Sequence, residues 1–171
     1  MVTVPGYRLR PATEHDQAAM TDVRRRAWHL AYDDIWGPGP IEQMFKGELA
    51  MSWENPEPDW SETPTTNVAV AQADAAVVGL LSYGIRQEGI GEVRLLYVDP
   101  EHHARGVATM LWNDALRAML GAGTNQVVVW VLGRNQPARV WYEHRGLTQF
   151  AESLVRLGDQ DEVETGYRMV L

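Results

Sequence analysis

The 171-residue chain contains no cysteine and only one lysine, Lys46. Without cysteine there is no disulfide, no thiolate zinc site and no cysteine nucleophile, so any thiol chemistry has to arrive on a ligand. The lone lysine follows no glycine-rich turn of the form Gly-x-x-x-x-Gly-Lys-Ser/Thr, which excludes a Walker phosphate loop. Three glycines just after a first strand, the Rossmann fingerprint, are missing as well. No apolar run approaches the roughly 20 residues of a membrane span, and residues 1–4 lack the charged and apolar regions of a signal peptide. A cytoplasmic protein away from membranes is the expectation. Acidic residues outnumber basic ones 23 to 15, for a net charge of -8. Nucleic acid, which needs clustered Lys and Arg, is therefore not an expected partner, and a cationic one is mildly favoured. The five histidines show no metal-ligand spacing, and no metal is expected.

What is present is one domain's worth of alternating patterns over residues 1–171, with 45% hydrophobic residues and neither repeat nor linker. A short strand over 7–10 stops at Pro11. Thr13 and Asp16 mark a capped start to a long helix with Ala19, Val23, Ala27, Leu30 and Ala31 at the 3.6 period, extended by Trp28, Tyr32 and Ile35. Arg24, Arg25 and Arg26 point about 100° apart on such a helix and read as a solvated face. Gly37-Pro38-Gly39-Pro40 breaks it, a second helix is predicted over 41–53, and 54–66 reads as loop. Most aromatics of 28–66 are expected in the core, with Trp53 and Trp60 as candidates for a ligand wall. Strands follow over 67–71, 76–83 and 92–98 as a meander, then a helix over 105–120 and a buried strand over 126–131. Asn135 and Gly146 bracket a short helix, and a hairpin over 147–156 and 163–170 ends the chain. The fold class is α+β: helices on both faces of a mixed, mostly antiparallel sheet of about seven strands.

Two stretches carry chemistry. His103-Ala104-Arg105-Gly106-Val107-Ala108 joins the strand ending at Val98 to a helix opening at Thr109. A helix N-terminus leaves N–H groups unpaired and partly positive, so this turn is suited to an anion such as a pyrophosphate. The second stretch is Asn135, Ala138, Tyr142 and Gly146. Together, in this order and on these elements, they resemble the GCN5-related N-acetyltransferase superfamily. Its signatures are Gln/Arg-x-x-Gly-x-Gly/Ala after a strand and Pro, and Asn-x-x-Ala-x-x-x-Tyr-x-x-x-Gly. His103 departs from the pattern, standing where Gln or Arg is usual.

The resemblance implies acetyl-CoA as cofactor and direct acetyl transfer to an amine through a tetrahedral intermediate. His103, Arg105, Gly106, Val107, Ala108 and Thr109 would meet its phosphates, with Asn135, Ala138 and Arg139 nearby. Arg134 is a further candidate for the phosphates, as is His102. A strand bulge over 96–98 would open a cleft for the pantetheine arm, held by the backbone of Leu96 and Val98, with an N–H near Leu96 or Tyr97 for the oxyanion. An alkyl amine is neutral in only roughly one part in a thousand at pH 7, so a base is useful. Glu92, six residues before Val98, is at the offset of the glutamate base in histone-acetylating members. If the bulge lies later, Glu92 shares a face with Arg94 and Leu96. Tyr142 stands at the acid position and would hydrogen-bond the leaving thiolate. The acceptor is expected to be a primary amine of a small molecule or peptide, with a protein N-terminus or lysine as an alternative. A CoA-binding module without catalysis is a second alternative. A homodimer is left open.

Overall fold

The computed structural model describes residues 4–47, 49, 66–86 and 89–171. Its elements are β1 (Arg8–Pro11), α1 (Gln17–Trp36), α2 (Pro38–Lys46), β2 (Thr66–Ala73), β3 (Ala76–Ile85), β4 (Ile90–Val98), α3 (Val107–Gly121), β5 (Gln126–Leu132), α4 (Gln136–Glu143), β6 (Thr148–Leu157) and β7 (Gln160–Val170). The strands form one sheet in the order β1-β2-β3-β4-β5-β7-β6, antiparallel except for the pair β4 and β5. That is the expected α+β architecture, and its single parallel pair is where the site forms.

α1 and α2 cover one face. Thr13 and Asp16 form a capping box at a 3-10 turn before α1, and Gly37, at φ +78°, ends the helix. Pro38 then opens α2 directly, because the first helical position needs no N–H. The glycine-proline run therefore separates two adjoining helices, and α2 stops at Lys46. Trp53 and Trp60 lie outside the described residues.

The buried stripe of α1 is Met20, Val23, Arg24, Trp28, Tyr32 and Trp36, whereas Leu30 is 63% exposed. Aromatic residues at spacings of four have taken the core-facing positions. Trp28 and Trp36 stack at 5.8 Å, and Trp28 meets Phe45 edge-on at 6.0 Å. Arg24 is not solvated. It is buried, donates to the Leu49 carbonyl at 3.1 Å and lies over the rings of Phe45 and Tyr97. Its two neighbours do face outward, Arg25 to Asp22 and Arg26 to Asp99.

α3 and α4 cover the opposite face. Leu111, Trp112 and Met119 of α3 and Tyr142 of α4 pack on Leu81, Val93, Val127 and Val129. Trp112 meets Trp141 and Tyr142 edge-on at 5.8 and 5.5 Å, arrangements worth about 0.5–1.5 kcal/mol each beyond the area they bury. No helix among the described residues is long and apolar enough to cross a membrane.

Candidate active site

β4 organises the site because it keeps one neighbour throughout and loses the other halfway. Its parallel pairing with β5 runs from Ile90 opposite Gln126 to Val93 opposite Val129, and stops there. β4 then continues on β3 as far as Val98, while β5 continues on β7 to Leu132. From Arg94 onward the facing edges of β4 and β5 are without ladder partners in each other. The cause is local: Ser82 pairs with Leu95 and Tyr83 with Val93, so Arg94 is an extra residue in β4. A bulge adds twist and turns the strand away.

The bulge expected over 96–98 thus lies at Arg94. Leu96 and Val98 are regular partners of Leu81 and Gly79. The shift also moves every later side chain to the other face. Glu92, opposite Gly84, shares its face with Leu95 and Tyr97, opposite Ser82 and Leu80, and no longer with Leu96.

Past Val98, Asp99 accepts hydrogen bonds from the Glu101 N–H and from Arg26, fixing a 3-10 turn at Pro100–His102. The chain then passes through Ala104 at φ +58° and Gly106 at φ +84° into α3. Residues 103–106 are exposed, and no side chain caps the helix they lead into. Its first-turn N–H groups are therefore available to an anion. Val107, 1% exposed, anchors that first turn in the core.

His103 places its Nε2 on the Val98 carbonyl at 2.9 Å, bracing the turn against β4, and His102 Nδ1 meets the Tyr7 hydroxyl at 2.8 Å. Thr109 Oγ1 accepts from Arg145, which lies over Trp141. Arg139 donates to the Tyr167 hydroxyl and the Gly133 carbonyl, and Arg134 pairs with Glu162. Of the arginines expected near phosphates, Arg105 is the one without a partner among the described residues. Asn135 accepts from the Ala138 N–H at 3.2 Å and donates to the Tyr32 hydroxyl at 3.0 Å, so it caps α4 and ties it to α1.

Tyr142 reaches the parting of the strands from α4. It is 6% exposed, and its hydroxyl makes no hydrogen bond among the described residues. Burial pushes its phenol well above the ordinary tyrosine range, and Tyr97 acts in the same direction against a smaller opposing effect of Arg145. The group stays protonated and keeps a proton to donate. Tyr97, on the half of β4 that has parted from β5, accepts a hydrogen bond from Trp28 Nε1 at 3.1 Å, leaving its own proton to give.

Glu92 is 1% exposed. Arg86 forks onto its Oε2 with Nε at 2.7 Å and Nη2 at 2.6 Å, while Oε1 is buried with no hydrogen-bond partner among the described residues. Burial raises the carboxyl above its ordinary range despite the attraction of Arg86 and Arg94. The result is a carboxylate more basic than usual, with one oxygen free for a proton. Glu164 of β7 lies on the same face and is also raised, by burial and then by the charge of Glu92. Sequence reasoning named Tyr97 only for its backbone N–H and missed its side chain, as well as Arg86 and Glu164. Their faces depend on the position of the bulge and on pairings distant in sequence, and no local pattern carries either.

The sequence model of the acetyltransferase (GNAT) family matches residues 25–147. A mycothiol acetyltransferase of Beutenbergia cavernae is 33% identical over 148 residues, which are 85% of this chain and 46% of that relative, so the chain spans about half the length of the curated relative it matches. Among solved structures, a GCN5-related N-acetyltransferase from Rhodopseudomonas palustris superposes with a TM-score of 0.77 at 16% identity, covering 100% of this chain and 99% of the other. The PaiA N-acetyltransferase of Thermoplasma acidophilum, in complex with coenzyme A, gives a TM-score of 0.70 at 17% identity, covering 96% and 99%. At these identities the two superpositions establish the fold.

Proposed function

The chain belongs to the acetyltransferase (GNAT) family, and we propose that it transfers the acetyl group of acetyl-CoA to a primary amine. The observation that carries this reading is the parting of β4 and β5 past Val93 and Val129, beside an uncapped helix and a buried tyrosine whose hydroxyl has no hydrogen-bond partner among the described residues. The residues fit the cofactor. The open first turn of α3 and the free Arg105 suit a pyrophosphate, and the bare edge of β4 beyond Arg94 suits an amide-bearing arm. Bound there, acetyl-CoA supplies an activated acyl group and a thiolate leaving group, which this cysteine-free chain cannot supply itself.

The chain's own residues then divide the work. Backbone N–H groups of 105–108 and Arg105 bind anionic oxygens. Glu92 Oε1 accepts a proton from the acceptor nitrogen, directly or through water, while Arg86 on Oε2 fixes the carboxylate's orientation. Tyr142 donates a hydrogen bond to the departing sulfur. A phenol at its ordinary pKa near 10 is already a weaker acid than a thiol near 8.5, by about 2 kcal/mol, and burial widens the gap. Hydrogen-bond stabilisation, with the proton retained, is the role its environment supports.

The test is a turnover screen of acetyl-CoA over amines, amino acids, polyamines, aminoglycosides and peptides, reading free CoA. Turnover with an amine is expected, and acetyl-CoA binding without turnover across the panel would instead support a non-catalytic module. With an active acceptor, kcat/KM should fall as pH drops through the raised pKa of Glu92, because only the unprotonated carboxylate is a base. In Glu92→Gln that added fall should be lost, leaving only the one imposed by protonation of the amine itself, at an activity about 10²-fold lower.

A further inference from the structure

Three carboxylates stand on the face of the sheet that α1 and α2 cover in part, and they differ in how fully they are partnered. Glu162, 5% exposed, receives Trp36 Nε1 at 3.1 Å and pairs with Arg134 at 3.2 Å. Glu92 has Arg86 on one oxygen, and its other, buried oxygen has no hydrogen-bond partner among the described residues. Glu164, half-buried, has no hydrogen bond or ion pair among the described residues, and burial, then the charge of Glu92, raises its proton affinity. A buried and a half-buried carboxylate that repel each other, each with an oxygen that no donor meets among the described residues, are costly unless a further cation joins them.

The sheet register says what lies between them. Glu92 is level with Val128 of β5, Glu164 is level with Leu132, and Trp130 stands midway on the same face. Its indole lies down over Gly166 of β7: a Cβ there would come within 3.0 Å of Trp130 Cη2 and Cζ3 and 2.9 Å of Phe150 Cε1. The missing side chain makes room for the ring, which leans from β5 over β7, the strand that carries Glu164. An indole face favours a cation or its apolar stem above it. Arg86 and Arg94 act on Glu92, and Arg168 stacks on the outer ring of Phe150 at 5.3 Å.

We propose that Glu164 is a specificity residue of the acceptor site: it holds a second cationic group, one that stays protonated through the reaction, of an acceptor whose reacting amine sits at Glu92 and whose stem crosses Trp130. This rests on the acetyl-transfer reading above. The reacting nitrogen must give up its proton to be acetylated, so Glu92 cannot keep it as an ion pair through the reaction. Glu164 can, because its partner never titrates in the step. The acceptor class is therefore a diamine or an amine with another cationic group a short alkyl chain away.

The experiment measures kcat and KM for hexylamine and hexamethylenediamine with the wild-type chain, Glu164→Gln and Glu164→Asp. Loss of one charge-assisted contact is expected to raise the diamine KM about tenfold in Glu164→Gln, leaving its kcat and the monoamine KM within about twofold. Glu164→Asp, which keeps the charge, should recover part of the loss. Unchanged acetyl-CoA affinity shows that each variant is folded. Equal effects on both amines, or no diamine preference in the wild type, would overturn the inference. So would inactivity with both amines while other amines in the screen are acetylated. No turnover with any amine, acetyl-CoA still binding, would instead remove the acetyl-transfer reading on which the inference depends.

Discussion

The two strands of the parallel pair each feed a helix, and the two helix starts are built in opposite ways. α4 is closed: Asn135 caps the Ala138 N–H, Pro137 removes a donor in the first turn, and the Asn135 amide reaches across to Tyr32 of α1. α3 is open: Gly106 at φ +84° leads into it and no side chain caps it. One start satisfies its backbone locally, and the other leaves donors in solvent at the mouth of the strand opening. On the proposed reading, anion binding falls to the helix whose local rule is unmet, and the hydrogen bond to the leaving group to the helix that is fixed in place. Tyr142 depends on that fixity, because a hydrogen-bond donor helps only where its direction is held.

The largest effect that would break this division is at Tyr142. Tyr142→Phe keeps the ring against Trp112 and Trp141 and removes only the hydroxyl. Turnover should fall about 10²-fold, in the range for loss of one positioned hydrogen-bond donor. Acetyl-CoA affinity, measured by calorimetry, should stay within about twofold, because nothing at the open helix changes. An equal loss in affinity would mean that the two helices do not divide the work.

Next in size is the open start itself. Gly106→Asp places a carboxylate where phosphates are expected and a Cβ 3.3 Å from Val4 Cγ2, at a φ that costs an L-residue about 1–2 kcal/mol. The same carboxylate interacts favourably with the helix dipole, by about 0.3–1 kcal/mol. Stability should therefore move little, by about 1 kcal/mol in denaturant titration, while acetyl-CoA affinity falls about tenfold or more. Gly106→Ala carries the strain without the charge and separates the two contributions.

Element order, the sheet class and both motif-bearing helices were legible in the sequence because each rests on local signals. Asn135, Pro137 and Gly146 mark α4 wherever it packs, and Gly106 marks a turn into a helix. What could not be read was set by single residues acting over a distance. Alternation of side chains identifies faces only while the register is regular. One inserted residue at Arg94 exchanged the faces of Leu95 to Val98, so the company of Glu92 was misread although its place on β4 was correct. In α1 the period fitted two stripes. Packing chose the one through Trp28, Tyr32 and Trp36, exposed Leu30 and drew Arg24 inward against two rings. Composition could not have shown that one arginine of three would be buried. Glu164 was invisible for another reason: a carboxylate on the last strand becomes part of a site only through the sheet order that sets β7 beside β5.

The smallest effect sharpens the comparison from the closed side. Asn135→Ala removes the α4 cap and the link to Tyr32 together, leaving the Ala138 N–H without its acceptor. Loss of an N-cap costs about 1 kcal/mol, which for a chain of this size lowers Tm by about 2–4 °C. If Asn135 acted on the cofactor, acetyl-CoA affinity would fall further than stability does. If it acts as the geometry indicates, affinity should hold within about twofold and turnover should slip modestly as Tyr142 loses its fixed direction. Tyr32→Phe separates the two bonds, since it deletes the link and spares the cap. A double-mutant cycle between Asn135→Ala and Tyr32→Phe should then return a coupling of about 0.5–1.5 kcal/mol. A coupling of zero would leave α4 held by its cap alone and its contact with α1 without energetic consequence.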